Sequence, residues 1–229
     1  MGGPRVHRRA MLIHQVWWQG WEKIPTRLHS QIQSVWGAFG PQIASGEVRF
    51  VRWDGAAITR LIRSLGGDFA RAFDACERII ERCDIGRLAI LHKFGGLYLD
   101  LDVTATRSGS AILAGLSDAA PHTAYCSAGS YISGAARVGV AVAEWLGFPG
   151  YANSIMFVAR PGHPLWATTA AKSVQMRRRA DRVRLRQFAP NQFVCAVTGP
   201  VLLSLAARGA TRVEGRAFSG LVHNYDSGW

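Results

Sequence analysis

The sequence predicts an α/β fold with a mostly parallel central sheet and helices packed on its faces. Two observations carry that expectation. Short apolar segments alternate along the chain with longer segments of helical spacing, the pattern of strands joined by crossover helices. One such strand follows Gly95-Gly96 and carries two carboxylates, Asp100 and Asp102, at its end. Ligands of open α/β sheets gather at the carboxyl ends of strands. The 229 residues, 48% of them hydrophobic, suit one domain over 1–229 with a sizeable core.

In order, residues 11–17 read as a first, central strand, and Trp18 to Trp21 leave it as a loop. Pro25-Thr26 opens a helix to about residue 39, which Gly40-Pro41 stops. Residues 47–52 alternate charged and apolar side chains, as a second strand does. Asp54 caps a helix that ends at Gly66-Gly67. Phe69, Ala72, Phe73, Cys76, Ile79, Ile80 and Cys83 keep helical spacing and predict one amphipathic helix. Asp84 then caps or begins the next helix, which ends before Gly95. The stretch 105–152, rich in Gly, Ala and Ser, reads as the variable, loop-rich part, with short strands near Ala124 and Tyr131. Residues 155–159 are a strand, and Pro164 opens a helix that runs into Arg177-Arg178-Arg179. Gly199-Pro200 opens a helix over 201–208, and strands at 211–213 and 218–223 close the fold.

The formal net charge of +12 calls for acidic partners, namely nucleotide phosphates, nucleic acid or an anionic membrane surface. No apolar run approaches the ~20 residues that span a bilayer, and the basic first ten residues lack a signal core. The four cysteines have neither paired nor zinc-like spacing and are expected as reduced core thiols, consistent with a cytoplasmic location. Arg177, Arg178, Arg179, Arg182, Arg184 and Arg186 form a basic run. It is either a solvated helix end or a peripheral contact with an anionic membrane. Nucleic acid is the weaker partner, because no recognised module is present and no aromatics interleave the run.

Two residues apart on a strand, Asp100 and Asp102 share a face. Like charges so close call for a cation or for donor groups. A hard divalent metal holding a diphosphate is one solution, and carboxylates capping backbone amides are the plainer one. Asp100-Leu-Asp102-Val-Thr104 also fits the Asp-x-Asp-x-Thr pattern of haloacid-dehalogenase-like phosphohydrolases. That chemistry needs a later acidic pair for Mg²⁺, and the downstream acids Asp118, Glu144, Asp181, Glu214 and Asp226 stand isolated.

Asp84-Ile-Gly-Arg87, then Leu91, then Gly95-Gly96-Leu-Tyr98-Leu-Asp100-Leu-Asp102 resembles the signature of glycosyltransferase family 32. That family holds Golgi α-1,6-mannosyltransferases, α-1,4-galactosyltransferases and bacterial capsule enzymes, and glucosylating toxins share its core. Looser likenesses run through the opening strand at residues 13–17, through Asn153 with His163-Pro164, through Thr198-Gly199-Pro200, and through His223 with Ser227-Gly228-Trp229. The resemblance implies a GT-A-type, Rossmann-like fold and a retaining transfer from a nucleotide sugar, such as a UDP- or GDP-sugar. It also implies Mn²⁺ (or Mg²⁺) and a glycan or glycolipid acceptor met by the loops over 105–152.

Carried over by position, Asp102 binds the metal, and Asp100 reaches the ribose and metal-bound water. Asp84 and Arg87 hold the donor sugar and the diphosphate. The third metal ligand is His223, Asn224 or Ser227. Trp17, Tyr98, Asn153, Ser227 and Trp229 are expected to touch substrate, with Trp229 folding over the donor. Four of these have a plainer reading: Asp84 as a helix cap, Arg87 as a solvated charge, Trp17 as core and Trp229 as a loose terminus. His14 is expected as a hydrogen-bonded structural histidine, with His163 and Trp166 as turn and packing residues.

Overall fold

The computed structural model describes residues 10–128, 150–216 and 218–224. Six strands form the main sheet: β1 (Met11–Val16), β2 (Val48–Trp53), β3 (Gly96–Leu99), β5 (Ala124–Ala128), β6 (Tyr151–Val158) and β7 (Val213–Arg216). Their order is β2-β1-β3-β6-β5-β7. Pairings β1–β2, β1–β3 and β5–β7 are parallel, and β6 alone runs against both its neighbours. β4 (Val103–Ala105) pairs antiparallel with β8 (Leu221–His223) as a separate two-stranded sheet. The mostly parallel α/β sheet expected from the sequence is therefore present.

The inner strands β1, β3 and β6 bury both faces, so their alternation sorts residues between two cores. Tyr98, Ala124, Cys126, Met156 and Val158 face one core. It is covered by α3 (Gly55–Leu65), α4 (Gly67–Asp74), α5 (Ile79–Phe94), α7 (Pro164–Arg182) and α10 (Pro200–Ala207). Leu97, Leu99, Tyr125, Ile155 and Phe157 face the other, under α1 (His29–Ala38) and α6 (Gly109–Ala114). A period of two in the side chains thus feeds two layers.

Several boundaries depart from the sequence reading. The helix begun at Thr26 is a single 3-10 turn followed by α1, and Gly40-Pro41 does not end helical structure. It begins α2 (Gly40–Ala44), where proline occupies the first turn and its missing N–H has no partner to lose. The expected helix through Phe69 and Cys83 is two helices. The chain leaves helical geometry after Asp74 and re-enters at Ile79, where the Glu81 carboxylate accepts the Glu77 N–H at 3.0 Å. Asp84 therefore lies inside α5 and caps nothing. The spacing misled because Phe73, Cys76 and Cys83 all pack into the same core from either side of the break. Within 105–152 the structure holds β4, α6, β5 and the start of β6, while the strand expected near Tyr131 falls outside the described residues. The helices α8 (Leu185–Phe188) and α9 (Pro190–Val197) were not anticipated.

Between α5 and β3 the chain turns on Gly95 and Gly96, at φ of 65° and 94°. A Cβ on Gly96 would lie 2.5 Å from the Leu12 carbonyl oxygen, so the strand can sit against β1 only with glycine there. Beside this turn His14 is fully buried, and His14 Nε2 donates to the Gly95 carbonyl at 2.9 Å. Trp53 Nε1–H donates to Nδ1 at 3.2 Å, which fixes the neutral tautomer.

Burial pulls the His14 pKa down to about 4, partly opposed by the Gly95 hydrogen bond. The folded state then refuses a proton that the unfolded chain accepts below about 6.5, so stability falls as pH drops through that window toward about 4. His14 should remove ~2 kcal/mol of stability between about pH 7.5 and about pH 5. Denaturant melts at both pH values, compared with His14→Gln, isolate this contribution; an identical pH difference in the variant would refute it.

The basic run is not one surface. Arg177 lies on the buried face of α7 with Ser173 and Ala180, and its guanidinium meets the buried Glu81 carboxylate at 2.8 Å. Arg186 pairs with Glu77 and, at 3.2 Å, with Asp181. Arg178, Arg179, Arg182 and Arg184 stand exposed. Cys76, Cys83 and Cys126 are buried and Cys195 is half-buried, all four as free thiols. Burial pushes Cys76 and Cys83 up to about 12, which leaves them inert. Pro190–Ala207 is apolar enough over 18 residues to cross a membrane by length and composition. The chain instead folds that stretch as α9 and α10, broken at Thr198 and Gly199, and half of it is buried.

Candidate active site

β3 ends at Leu99, one residue before the carboxylate pair, so strand alternation does not bring Asp100 and Asp102 together as expected. A turn does. The Asp100 N–H continues the sheet by donating to Ser154 O at 2.9 Å, and Val103 N–H folds back on Asp100 O at 3.2 Å. β4 then pairs with β8, setting Val103 opposite His223. One ligand atom from each of Asp100, Asp102 and His223 lies within 4.8 Å of the other two. His223 Nε2 approaches Asp102 Oδ1 at 3.0 Å. Asp102 is buried, and its Oδ2 has no hydrogen-bond partner. An orphaned buried carboxylate oxygen among two further oxygen and nitrogen donors suits a divalent cation.

The three candidates for the third ligand separate. His223 joins the cluster. Asn224 braces the turn instead, its side-chain amide donating to Asp102 O at 2.8 Å and Thr104 Oγ1 at 2.6 Å. Ser227 lies outside the described residues, as does Trp229.

Behind the pair sits Arg87, buried inside α5 where a solvated helix face was the plainer reading. Its NH1 donates to Asn153 O at 2.8 Å and to Asp100 Oδ2 at 3.2 Å, and its NH2 meets Asp84 Oδ1 at 3.1 Å. The guanidinium lies 5.0 Å from the centre of the Tyr98 ring. Burial works against its charge, but Asp100, Tyr98 and Asp84 together outweigh that and hold its pKa above the ordinary arginine value.

Asp84 is saturated. Asn153 Nδ2 donates to its Oδ1 at 3.0 Å and Thr198 Oγ1 to its Oδ2 at 2.9 Å. Burial raises its pKa to about 6 against the pull of Arg87 and Thr198. Asp100 is raised as well, by burial first and then by Asp102, with Arg87 opposing. Tyr98 donates its hydroxyl to Asp100 Oδ1 at 2.7 Å from a fully buried position. Trp17 is buried with Leu28 and with Leu101, the residue between the two carboxylates, and its indole donates to Lys23 O at 3.2 Å.

These groups share one cavity of about 780 Å³, whose lining includes Trp17, Arg27, Arg87, Asp100, Asp102 and His223. The size suits a nucleotide-sized ligand. Sequence reasoning gave Thr198 only as part of a turn. Nothing local aims its hydroxyl at a carboxylate 114 positions away. Trp166, fully buried, and His163, which caps α7 by accepting Leu165 N–H at 3.1 Å, are the packing and turn residues expected.

Residues 47–117 match the family described as "Glycosyltransferase sugar-binding region containing DXD motif". The signature from Asp84 to Asp102 lies within that match, so the resemblance read from the sequence is borne out over this region. The chain is 27% identical over 101 residues to an uncharacterized glycosyltransferase of Acanthamoeba polyphaga mimivirus, covering 42% of this chain and 37% of that protein. It is 30% identical over 105 residues to inositol phosphoceramide mannosyltransferase 3 of Schizosaccharomyces pombe, covering 42% of this chain and 25% of that protein. The chain thus spans well under half the length of these curated relatives. The PaToxG glycosyltransferase structure superposes at a TM-score of 0.50 with 14% identity, over 86% of this chain and 68% of that one, a likeness of fold. Asp84, Arg87, Tyr98, Asp100 and Asp102 fall inside the matched region, while Asn153, Thr198 and His223 reach the site from beyond it.

Proposed function

We propose that the protein transfers a sugar from a nucleotide-sugar donor, a UDP- or GDP-sugar, to a glycan or lipid-linked acceptor, with retention at the anomeric carbon. The carrying observation is the Asp100–Asp102–His223 cluster facing a nucleotide-sized cavity, with Asp102 Oδ2 unpartnered. Asp102 and His223 would hold Mn²⁺ or Mg²⁺, with Asp100 at its edge. Such an ion supplies charge stabilisation for the departing nucleoside diphosphate. Arg87 holds Asp100 in place and keeps Asp84 ionised, so its guanidinium fixes the pair as well as adding positive charge beside the diphosphate. Trp17 and Tyr98 hold the turn from either side, the first through Leu101 and the second through Asp100.

A lipid-linked acceptor is favoured because one relative is named for mannosyl transfer to inositol phosphoceramide. Haloacid-dehalogenase chemistry fits poorly, since Asp100 is tied to Tyr98 and Arg87 and a histidine completes the cluster.

The test is a screen of UDP- and GDP-sugars for donor hydrolysis with Mn²⁺ present. At least one donor should release nucleoside diphosphate, and chelation should abolish the release. No turnover together with no Mn²⁺-dependent nucleoside diphosphate binding would refute the reading.

A further inference from the structure

We propose that the surface at the end of α7 and along α8 docks the protein on an anionic membrane, next to the helix α9 that lines the cavity. Among the described residues, Phe188 and Val183 are the most exposed large apolar side chains, at 79% and 68%. Both sit in the short segment that also carries arginines with no acidic partner among the described residues. Arg182 lies four and three residues after Arg178 and Arg179, and all three are on the face of α7 opposite the buried Ser173, Arg177 and Ala180. Arg184 follows at the bend into α8, where φ is 53°. The acidic groups nearby are engaged elsewhere: Glu81 with Arg177, Glu77 and Asp181 with Arg186.

Four exposed guanidiniums around two solvent-facing apolar side chains fit a lipid surface, with charge for the headgroups and apolar tips for the acyl boundary. Nucleic acid fits less well. Val183 has no π-face on which a base could stack, and Phe188 is the one aromatic residue in the segment.

The position ties docking to the cavity. α9 follows α8 after Ala189, and its Asn191, Val194 and Cys195 line the cavity wall. Phe188 and Asn191 are three residues apart, so their Cα atoms are separated by no more than about 11 Å. Arg78, on the cavity lining, bonds Pro190 O at 3.4 Å and fixes this junction. A membrane bound at Phe188 would therefore lie close to the helix that forms this cavity wall.

The docking is tested without any sugar donor, so its outcome is independent of the proposed transfer reaction. Co-sedimentation with phosphatidylcholine vesicles, with and without phosphatidylserine, is measured for the wild type and two variants. Wild type should bind the anionic vesicles at least about tenfold better than the neutral ones, and salt should weaken the binding. Combined Arg178→Glu, Arg179→Glu and Arg182→Glu should weaken it about 100-fold or more, at roughly fivefold per arginine lost. Val183→Ser with Phe188→Ser should weaken it about tenfold with the salt dependence unchanged. All five positions are exposed, so both variants should keep wild-type circular dichroism and melting. Wild-type binding by either variant, or no preference for anionic vesicles, overturns the proposal. Binding of single-stranded RNA that the arginine variant loses, with vesicle binding untouched by the serine variant, assigns the surface to nucleic acid instead.

Discussion

In Asp102→Asn, Mn²⁺-dependent binding of UDP or GDP should fall by at least ~100-fold, beyond the loss seen when groups merely supporting a metal ligand are changed. Donor hydrolysis should disappear with it. The stability of the metal-free protein should move the other way or not at all. Asparagine removes one of two carboxylates that crowd the same turn, and it keeps an oxygen for the Asp102–His223 contact. The signature is therefore a metal-free melting temperature equal to or above wild type, with the Mn²⁺-induced rise abolished. Calorimetry returning the same Mn²⁺-dependent nucleotide affinity in the variant would remove Asp102 from the metal site.

Arg87→Met should be the most destabilising single change in the site. It strands Asp84 and Asp100, both of which the guanidinium touches from a buried position. Removing one partner from a buried charge network costs about 3–5 kcal/mol. In a domain of this size that is a fall of roughly 6–20 °C in melting temperature. Arg87→Lys should recover only part, because an ammonium cannot span two carboxylates and the Asn153 carbonyl at once. Asp84→Asn added to Arg87→Met should restore part of the loss by removing the stranded charge, a coupling that a double-mutant cycle reads directly. A loss below about 1 kcal/mol in the single variant would mean that Arg87 is not the counter-charge that organises these acids.

The legible parts of the chain were those whose signal is local. Asp54 as a cap, Gly95-Gly96 as a helix stop and Pro200 as a helix start each depend on a few neighbouring residues, and each is where the sequence placed it. Asp100 and Asp102 were legible as a pair but not in geometry, since a turn juxtaposes them where a strand was expected. The break at residues 75–78 was invisible because the apolar spacing continues across it; the Glu81 side chain takes the Glu77 amide at the start of the second helix. Arg177 was hidden among its neighbours. Six arginines in a row of ten read alike until α5 places Glu81 against one of them. Thr198 and Asn153 hold Asp84 across sequence gaps that no spacing rule covers. His223 entered through family likeness, and its place beside Asp102 comes from the β4–β8 pairing.

That pairing fixes the order in which the site can be built. Asp102 and His223 are 121 positions apart, with Val103 and His223 in register across β4 and β8. At a synthesis rate of ~5–20 residues per second, the carboxylates leave the ribosome roughly 6–24 s before the histidine. Throughout that interval β4 has no partner strand, and neither Asn224 nor His223 is present to hold the turn. A nascent chain can collapse α3 to α5 against β1 and β3 early, because those contacts lie within its first hundred residues. The proposed cation site cannot be part of that collapse. It belongs to the last stage of folding, so a trapped late intermediate should carry a native-like sheet and no affinity for Mn²⁺.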